Sequence, residues 1–292
     1  MVVYSIKDLE KLSGVKAHTL RIWEKRYRIL EPKRTPTNIR YYLDEDLKSL
    51  LNIALLNRNG IKISKIAKMN SAQIQRKVVE ITDIDESFEG QLDSLTISLI
   101  ELNEGKFIKL LNKNIEQRGF AETMLEVIYP LLDKLAMMWI SGSIKTIHEK
   151  FVSHLIKRKC IVEIDKQEIT KSETFLIYLP EKETNELSLL FLHYLIKRCG
   201  FNVINAGPDV SIYDLIEVAD IKSPEYIFTI VNDSMDQSEF KLYIKKICEE
   251  FENTKVILSG LSAQSVQVDK NIQDRMVIVR SSEDTIKYLE SL

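Results

Sequence analysis

The sequence predicts a multidomain chain: an N-terminal winged helix-turn-helix, a central four-helix bundle and a C-terminal α/β Rossmann-like (flavodoxin-like) parallel sheet. Three observations carry this. Two short amphipathic stretches separated by Gly14-Val15 open the chain and lead into a proline-broken extended run. From about residue 85 to 166 the apolar residues keep helical spacing, with Pro130 the only proline. From about residue 173, short β-rich runs alternate with helical ones, the pattern of a parallel sheet covered on both faces. The boundaries fall at 1–75, 85–166 and 172–292, consistent with two or three domains in 292 residues, 45% of them hydrophobic and 29% charged.

Each element has a local cause. Ser5 can cap a helix with Asp8 three residues on, Ile6, Leu9 and Leu12 share a face, and Gly14 ends the helix. Leu20, Trp23 and Tyr27 repeat the spacing over His18 to Leu30. Two prolines and an Asn in Glu31 to Tyr42 break helix, and Ile39-Arg-Tyr-Tyr42 favours extended backbone, which makes a wing. Asp44 is expected to cap a helix running to Leu56, and a short helix is expected over Ile61 to Met69. In the bundle, glycines 90, 105, 119 and 142 mark expected breaks. Strands are expected at Thr174–Leu179, Asn202–Asn205, Tyr226–Val231, Lys255–Leu258 and Met276–Val279. Helices are expected at Glu186–Cys199, after Ser211, at Gln237–Phe251 and from Ser282.

The net charge of −2 conceals an asymmetry. Residues 1 to 70 hold 15 Lys and Arg against 7 Asp and Glu, and the other 222 hold 26 against 36. A basic head on an acidic body fits a phosphate-binding domain joined to one that does not bind nucleic acid. Cys160, Cys199 and Cys248 lack the spacing of a zinc or redox motif and read as free thiols. No apolar run is long enough to span a bilayer and the N-terminus lacks a secretory pattern, so a cytoplasmic protein is expected. Glu181 to Glu186 after the first sheet strand carries no Gly-rich phosphate loop, and neither a catalytic dyad nor a metal cluster stands out, so no enzyme is expected.

Tyr4-Ser-Ile-Lys-Asp-Leu9, Gly14-Val15, Thr19-Leu-Arg-Ile-Trp-Glu24 and Arg40-Tyr-Tyr-Leu-Asp-Glu-Asp-Leu47 resemble the MerR family over the whole first domain. The resemblance implies a helix from near Lys16 entering the major groove of duplex DNA, with Lys16, His18, Thr19 and Arg21 near its N-terminal end. Arg26, Arg34 and Arg40 can neutralise phosphates, Tyr27 and Tyr41 can fix register through their hydroxyls, and Asn38 on the wing can reach a neighbouring groove. Trp23, Leu20 and Leu47 read as core.

Met138-Trp-Ile-Ser-Gly-Ser-Ile144, His148-Glu-Lys-Phe151, Pro180 to Leu189, Gly200 to Pro208 and Leu258-Ser-Gly260 are similar to the cobalamin-binding pair of light-responsive cobalamin-dependent repressors and methionine synthase. That resemblance implies adenosylcobalamin as cofactor and an effector pocket drawing on Trp139, Glu149, Lys150, Glu183, Asn185, Ser188, Gly207, Ser259 and Gly260. This chain departs from the family pattern at decisive places. Lys150 stands where the cap expects His, Asn185 where the sheet loop expects the cobalt-ligating His, and Ser188 where it expects Gly. An amide is a poor cobalt ligand beside imidazole. His148, His154 and His193 read as surface or satisfied core residues. The expectation is therefore a homo-oligomeric regulator of double-stranded DNA with no cofactor, an unknown small-molecule effector and no membrane partner. The alternatives are a cobalamin-dependent regulator, an anti-repressor that binds protein rather than DNA, and a corrinoid enzyme subunit.

Overall fold

The computed structural model describes residues 3–34, 40–82, 88–140, 144–232, 235–265 and 274–292. The chain divides into two units, Met1–Leu155 and Ile156–Leu292. The first holds the expected winged domain and most of the expected bundle, and the second holds the sheet.

In the first unit, α1 (Ile6–Ser13) starts with a reciprocal cap. The Ser5 hydroxyl accepts from Asp8 N–H at 3.3 Å and the Asp8 carboxylate from Ser5 N–H at 2.8 Å. Gly14 closes it at φ +70°, a conformation costly for other residues. Helix α2 (Ala17–Tyr27) follows, and its first N–H, on Ala17, donates to Glu10 of α1 at 3.2 Å across the turn. Strands β1 (Lys33–Arg34) and β2 (Arg40–Tyr41) pair antiparallel as the wing. Tyr42 then bonds Tyr4 through both backbone groups at 2.9 Å, tying the wing to the start of the chain. Tyr4, Leu9, Leu20, Trp23, Tyr42, Leu47 and Leu50 form the core here.

Helix α3 (Asp44–Arg58) runs two residues beyond the expected Leu56. Asp44 is its first residue rather than its cap; the Asp46 carboxylate accepts from Leu43 N–H at 2.8 Å instead. Helix α4 is only Ile63–Ile66, because turn conformations take over from Ala67 to Met69. Sequence reading missed α5 (Ser71–Thr82), although Asn70 and Gln73 form a reciprocal box with both bonds at 2.9 Å.

The helical region comprises α6 (Phe88–Ile100), α7 (Glu104–Arg118), α8 (Phe120–Thr123), α9 (Tyr129–Ile140) and α10 (Thr146–Asp165), in which the division between units falls. A π turn over Met124–Ile128 joins α8 to α9 just before Pro130, which lacks an N–H and so suits a local change of helical register. Gly90 and Gly105 lie inside helices rather than at breaks, while Gly119 at φ +89° does mark one and Gly142 lies outside the described residues. The chain turns instead at Leu102-Asn103, where the Asn103 side chain caps α7. Leu95, Leu99, Phe107, Leu111, Phe120 and Leu131 are buried. So is Asp93, which Arg58 meets from α3 at 2.6 Å and Lys134 from α9 at 2.9 Å.

The second unit is a five-stranded parallel sheet in the order β4-β3-β5-β6-β7. Its strands are β3 (Thr174–Pro180), β4 (Asn202–Val210), β5 (Tyr226–Ile230), β6 (Lys255–Ser259) and β7 (Met276–Ile278). Its helices are α11 (Glu186–Arg198), α12 (Ile212–Ile221), α13 (Gln237–Glu250), α14 (Leu261–Ser265) and α15 (Ser282–Glu290). Side chains of alternate parity serve opposite faces. Leu176, Tyr178, Ile227, Val256 and Leu258 pack with Leu215 of α12 and Phe240, Ile244 and Ile247 of α13. Phe175 belongs to the other face and packs on Phe201 and Tyr226. Every residue of β3 is buried, as a central strand covered on both faces must be. The order reverses at β3, and in sheets of this kind ligands bind past the carboxyl end of the strand where it does.

Candidate nucleic-acid interface

Helix α2 separates its residues cleanly. Leu20 and Trp23 are buried, while His18, Arg21, Ile22 and Lys25, spaced as neighbours on one helical face, are all exposed, with Arg26 beside them. Ile22 is 47% exposed, an apolar side chain in the middle of a cationic stripe. Such a face can meet phosphates with its cations and a thymine methyl with its isoleucine. Sequence reading singled out His18, Arg21 and Arg26 and missed Ile22 and Lys25, which the spacing from Leu20 and Trp23 could have assigned to the solvent side.

Lys16 lies at the entrance to α2 with its side chain 72% exposed, and pairs with Glu10 at 3.3 Å. Ala17 N–H, and then the Lys16 ammonium, hold the Glu10 carboxyl below its ordinary range. Thr19 is half-buried and its hydroxyl lies 3.3 Å from the His18 imidazole. On the wing, Arg34 and Arg40 are exposed and directly paired, with Tyr41 half-buried. Asn38 lies outside the described residues. Tyr27 is half-buried and lines a cavity at the end of α2, so it is not part of the exposed stripe.

Glu24 carries a role that residue type alone did not reveal. Its nearly buried carboxylate lies 3.6 Å from the Arg40 guanidinium and accepts a hydrogen bond from the Tyr42 hydroxyl. Burial first, then the Glu24 carboxylate, raise the Tyr42 phenol far above its ordinary value, so it remains a donor. One side chain on α2 thus holds the wing strand and the residue after it.

The expected effector residues fall in both units. In the first, Trp139 is 53% exposed, while Glu149 and Lys150 are exposed in the first turns of α10. His148 is engaged as a cap there, accepting from Lys145 N–H at 3.0 Å. In the sheet unit, Glu183, Asn185, Gly207, Ser259 and Gly260 gather at the carboxyl end of the sheet. Asn185 is the N-cap of α11, its carboxamide oxygen accepting from Ser188 N–H at 3.3 Å. The buried Glu183 carboxylate accepts from Asn232 N–H, joining the loops after β3 and β5. Gly207 has open space where a side chain would stand, whereas at Gly260 a Cβ would come within 2.3 Å of the Val231 carbonyl.

These groups do not fit the lower face of a cobalt corrin. Asn185, at the position of the expected imidazole, spends its carboxamide on α11, and an amide is a weak ligand in any case. His193 is half-buried within α11, its Nδ1 3.3 Å from the Asn205 amide, and burial, with Lys197 adding to it, pushes its pKa down to about 4. Among the described residues no group of His, Cys, Asp and Glu could hold a metal ion, and no helix is long and apolar enough to cross a membrane.

Residues 4–73 match the family described as MerR HTH family regulatory protein. Over 271 residues the chain is 22% identical to the HTH-type transcriptional repressor CarH of Myxococcus xanthus, covering 90% of this chain and 91% of that one. It is 23% identical over 214 residues to the repressor CarA of the same organism, covering 70% and 68%. With the HTH-type transcriptional regulator MlrA of Escherichia coli it shares 29% identity over 119 residues, covering 41% and 44%. Among solved structures, the monomethylamine corrinoid protein of Methanosarcina barkeri aligns with a TM-score of 0.50 at 12% identity, over 70% of this chain and 99% of that one. That likeness is one of fold.

Proposed function

From a MerR-type helix-turn-helix joined to a corrinoid-protein-like sheet, we propose that this chain is a DNA-binding transcription regulator acting as a homo-oligomer. The observation that carries the reading is the exposed stripe of α2, with Arg21, Lys25 and Arg26 around Ile22 and Arg40 of the wing paired to the same helix through Glu24. A domain of this size reads one half-site, so a symmetric pair on a near-palindromic duplex gives both affinity and specificity. The named relatives are repressors and regulators, which favours this reading over a corrinoid enzyme subunit. The paired wing strands, with Arg34 opposite Arg40, favour DNA over a protein partner.

The sensor half, on this reading, works without cobalamin, because the position that would ligate cobalt carries Asn185, which is committed to capping, and Lys150 stands where the cap expects His. A second reading, cobalamin held by burial alone, draws on the open space at Gly207. Fluorescence anisotropy of the full chain against genomic duplex fragments tests the main reading. Binding to a subset of fragments, weakening steeply as salt rises through counterion release, is expected. Absence of binding to any fragment at low salt overturns it.

A further inference from the structure

The winged domain encloses a second candidate site, remote from the stripe of α2. A cavity of about 430 Å³ is bounded by the last turn of α2, by α3 and by the α4–α5 segment. Its volume is in the range of small-molecule sites. Ile53, Ile66, Met69 and Ile74 supply an apolar part.

The polar part holds an amide that no protein group engages. Asn52 is only 6% exposed, it lines this cavity, and its side chain has no hydrogen-bond partner among the described residues. The amide's polar atoms stay reachable by solvent through the cavity, so their hydrogen-bonding capacity is open to a ligand or to water. Water alone could satisfy it, but water does not account for the apolar surface beside it. Ser49 adds a hydroxyl, and Arg28 and Lys48 outnumber the single carboxylate of Glu45 on the same walls. The combination is an apolar body site with a hydrogen-bonding head site, where Arg28 is the cation not drawn to Glu101.

We propose that this cavity binds a small organic carboxylate with an apolar body, its head group paired with Asn52 and Arg28. The site lies where a ligand would matter. Arg28 ends α2 in the left-handed region at φ +52°, a conformation that L residues adopt only at a cost, and Lys48 reaches Glu101 beyond α6 at 3.3 Å. A bound carboxylate therefore touches both the end of the helix read as contacting DNA and the path into the helical region. The binding claim stands on the cavity alone; the link to DNA affinity rests on the proposed function.

The test uses the full chain and three probes of one shape, benzoate, benzamide and benzylamine, followed by ligand-observed NMR. Benzoate should bind saturably, benzamide more weakly, and benzylamine not at all. Asn52→Leu should weaken benzoate about tenfold, the order of one charge-assisted hydrogen bond. Ala67→Phe and, separately, Ser49→Phe should fill the cavity and abolish binding, with thermal unfolding confirming that at least one of them folds. Benzoate failing to bind, equal binding of the three probes, or binding that survives both filling variants overturns the site. Anisotropy with duplex DNA is measured in parallel. A benzoate-dependent change in DNA affinity, absent in the filling variants, supports the regulatory link, and benzoate binding that leaves DNA affinity unchanged overturns that link while the site stands.

Discussion

At the scale of single residues, Glu24 joins recognition to architecture. Replacing it with Ala frees Arg40 and leaves the buried Tyr42 hydroxyl unpaired, a loss of about 1–3 kcal/mol in stability. Urea unfolding should show that loss, and anisotropy should show weaker DNA binding from a loosened wing. Arg21→Ala and Arg40→Ala should each weaken DNA binding by about 1–3 kcal/mol per lost charge-assisted contact. Operator affinity intact in both would refute the assignment of α2 and the wing. His193 provides a pH signature for the sheet unit. Burial lowers its pKa from 6.5 to about 4 in the folded state, so the unfolded chain binds the extra proton first. Its contribution to stability is therefore present above 6.5 and lost as pH falls towards 4. Unfolding midpoints should drop between about pH 7 and about pH 5 in the wild type, and less so in His193→Gln.

At the scale of elements, the most consequential junction is the one between α3, α6 and α9. Asp93 on α6 is buried beneath two cations, Arg58 at 2.6 Å and Lys134 at 2.9 Å. Arg58 also donates to the Ser13 carbonyl at 3.2 Å, at the last residue of α1. Asp93 is thus one tie between the winged domain and the helical region. Removing one partner of a buried ion cluster costs about 3–5 kcal/mol, because the remaining charges stay desolvated. Asp93→Asn should lower the unfolding free energy by that order and reduce DNA affinity in the full chain. Lys134→Met, which leaves the Arg58 pair in place, should cost less. A denaturation midpoint unchanged in Asp93→Asn would show that the cluster has no such role.

At the scale of the whole molecule, the charge asymmetry becomes a functional statement. The acidic remainder of the chain repels DNA while the basic head attracts it, so steep salt dependence should belong to the winged domain's cations. A charge-neutralising pair such as Lys25→Gln with Arg26→Gln should therefore flatten the salt slope, measured by anisotropy over a salt series. The sensor half should not respond to adenosylcobalamin. Visible spectra and sedimentation of the full chain with that cofactor, in light and dark, are expected to be unchanged, since a ligand shifts a regulator only by binding its states differently. Tight binding with a light-reversible change in oligomer size would instead establish the cobalamin reading.

What the sequence determined by itself was whatever local chemistry decides. The Ser5/Asp8 box, the Gly14 stop, the α2 periodicity and the β-α alternation each act within a few residues or repeat with a fixed period, and they stood in the structure except that α2 ends at Tyr27 rather than Leu30, where Arg28 turns left-handed. Errors were local too: Gly90 and Gly105 were tolerated inside helices, and α5 was overlooked despite its Asn70/Gln73 box. Only the tertiary structure decided which side chains share an environment. Glu24 meets Tyr42 across 18 positions, Arg58 meets Asp93 across 35, and Asn185, at the place where the family pattern has its ligating His, caps its own helix. The physical reason is that long-range pairing depends on packing geometry, in which burial sets the strength of each charge and hydrogen bond, and no periodicity in the chain encodes it.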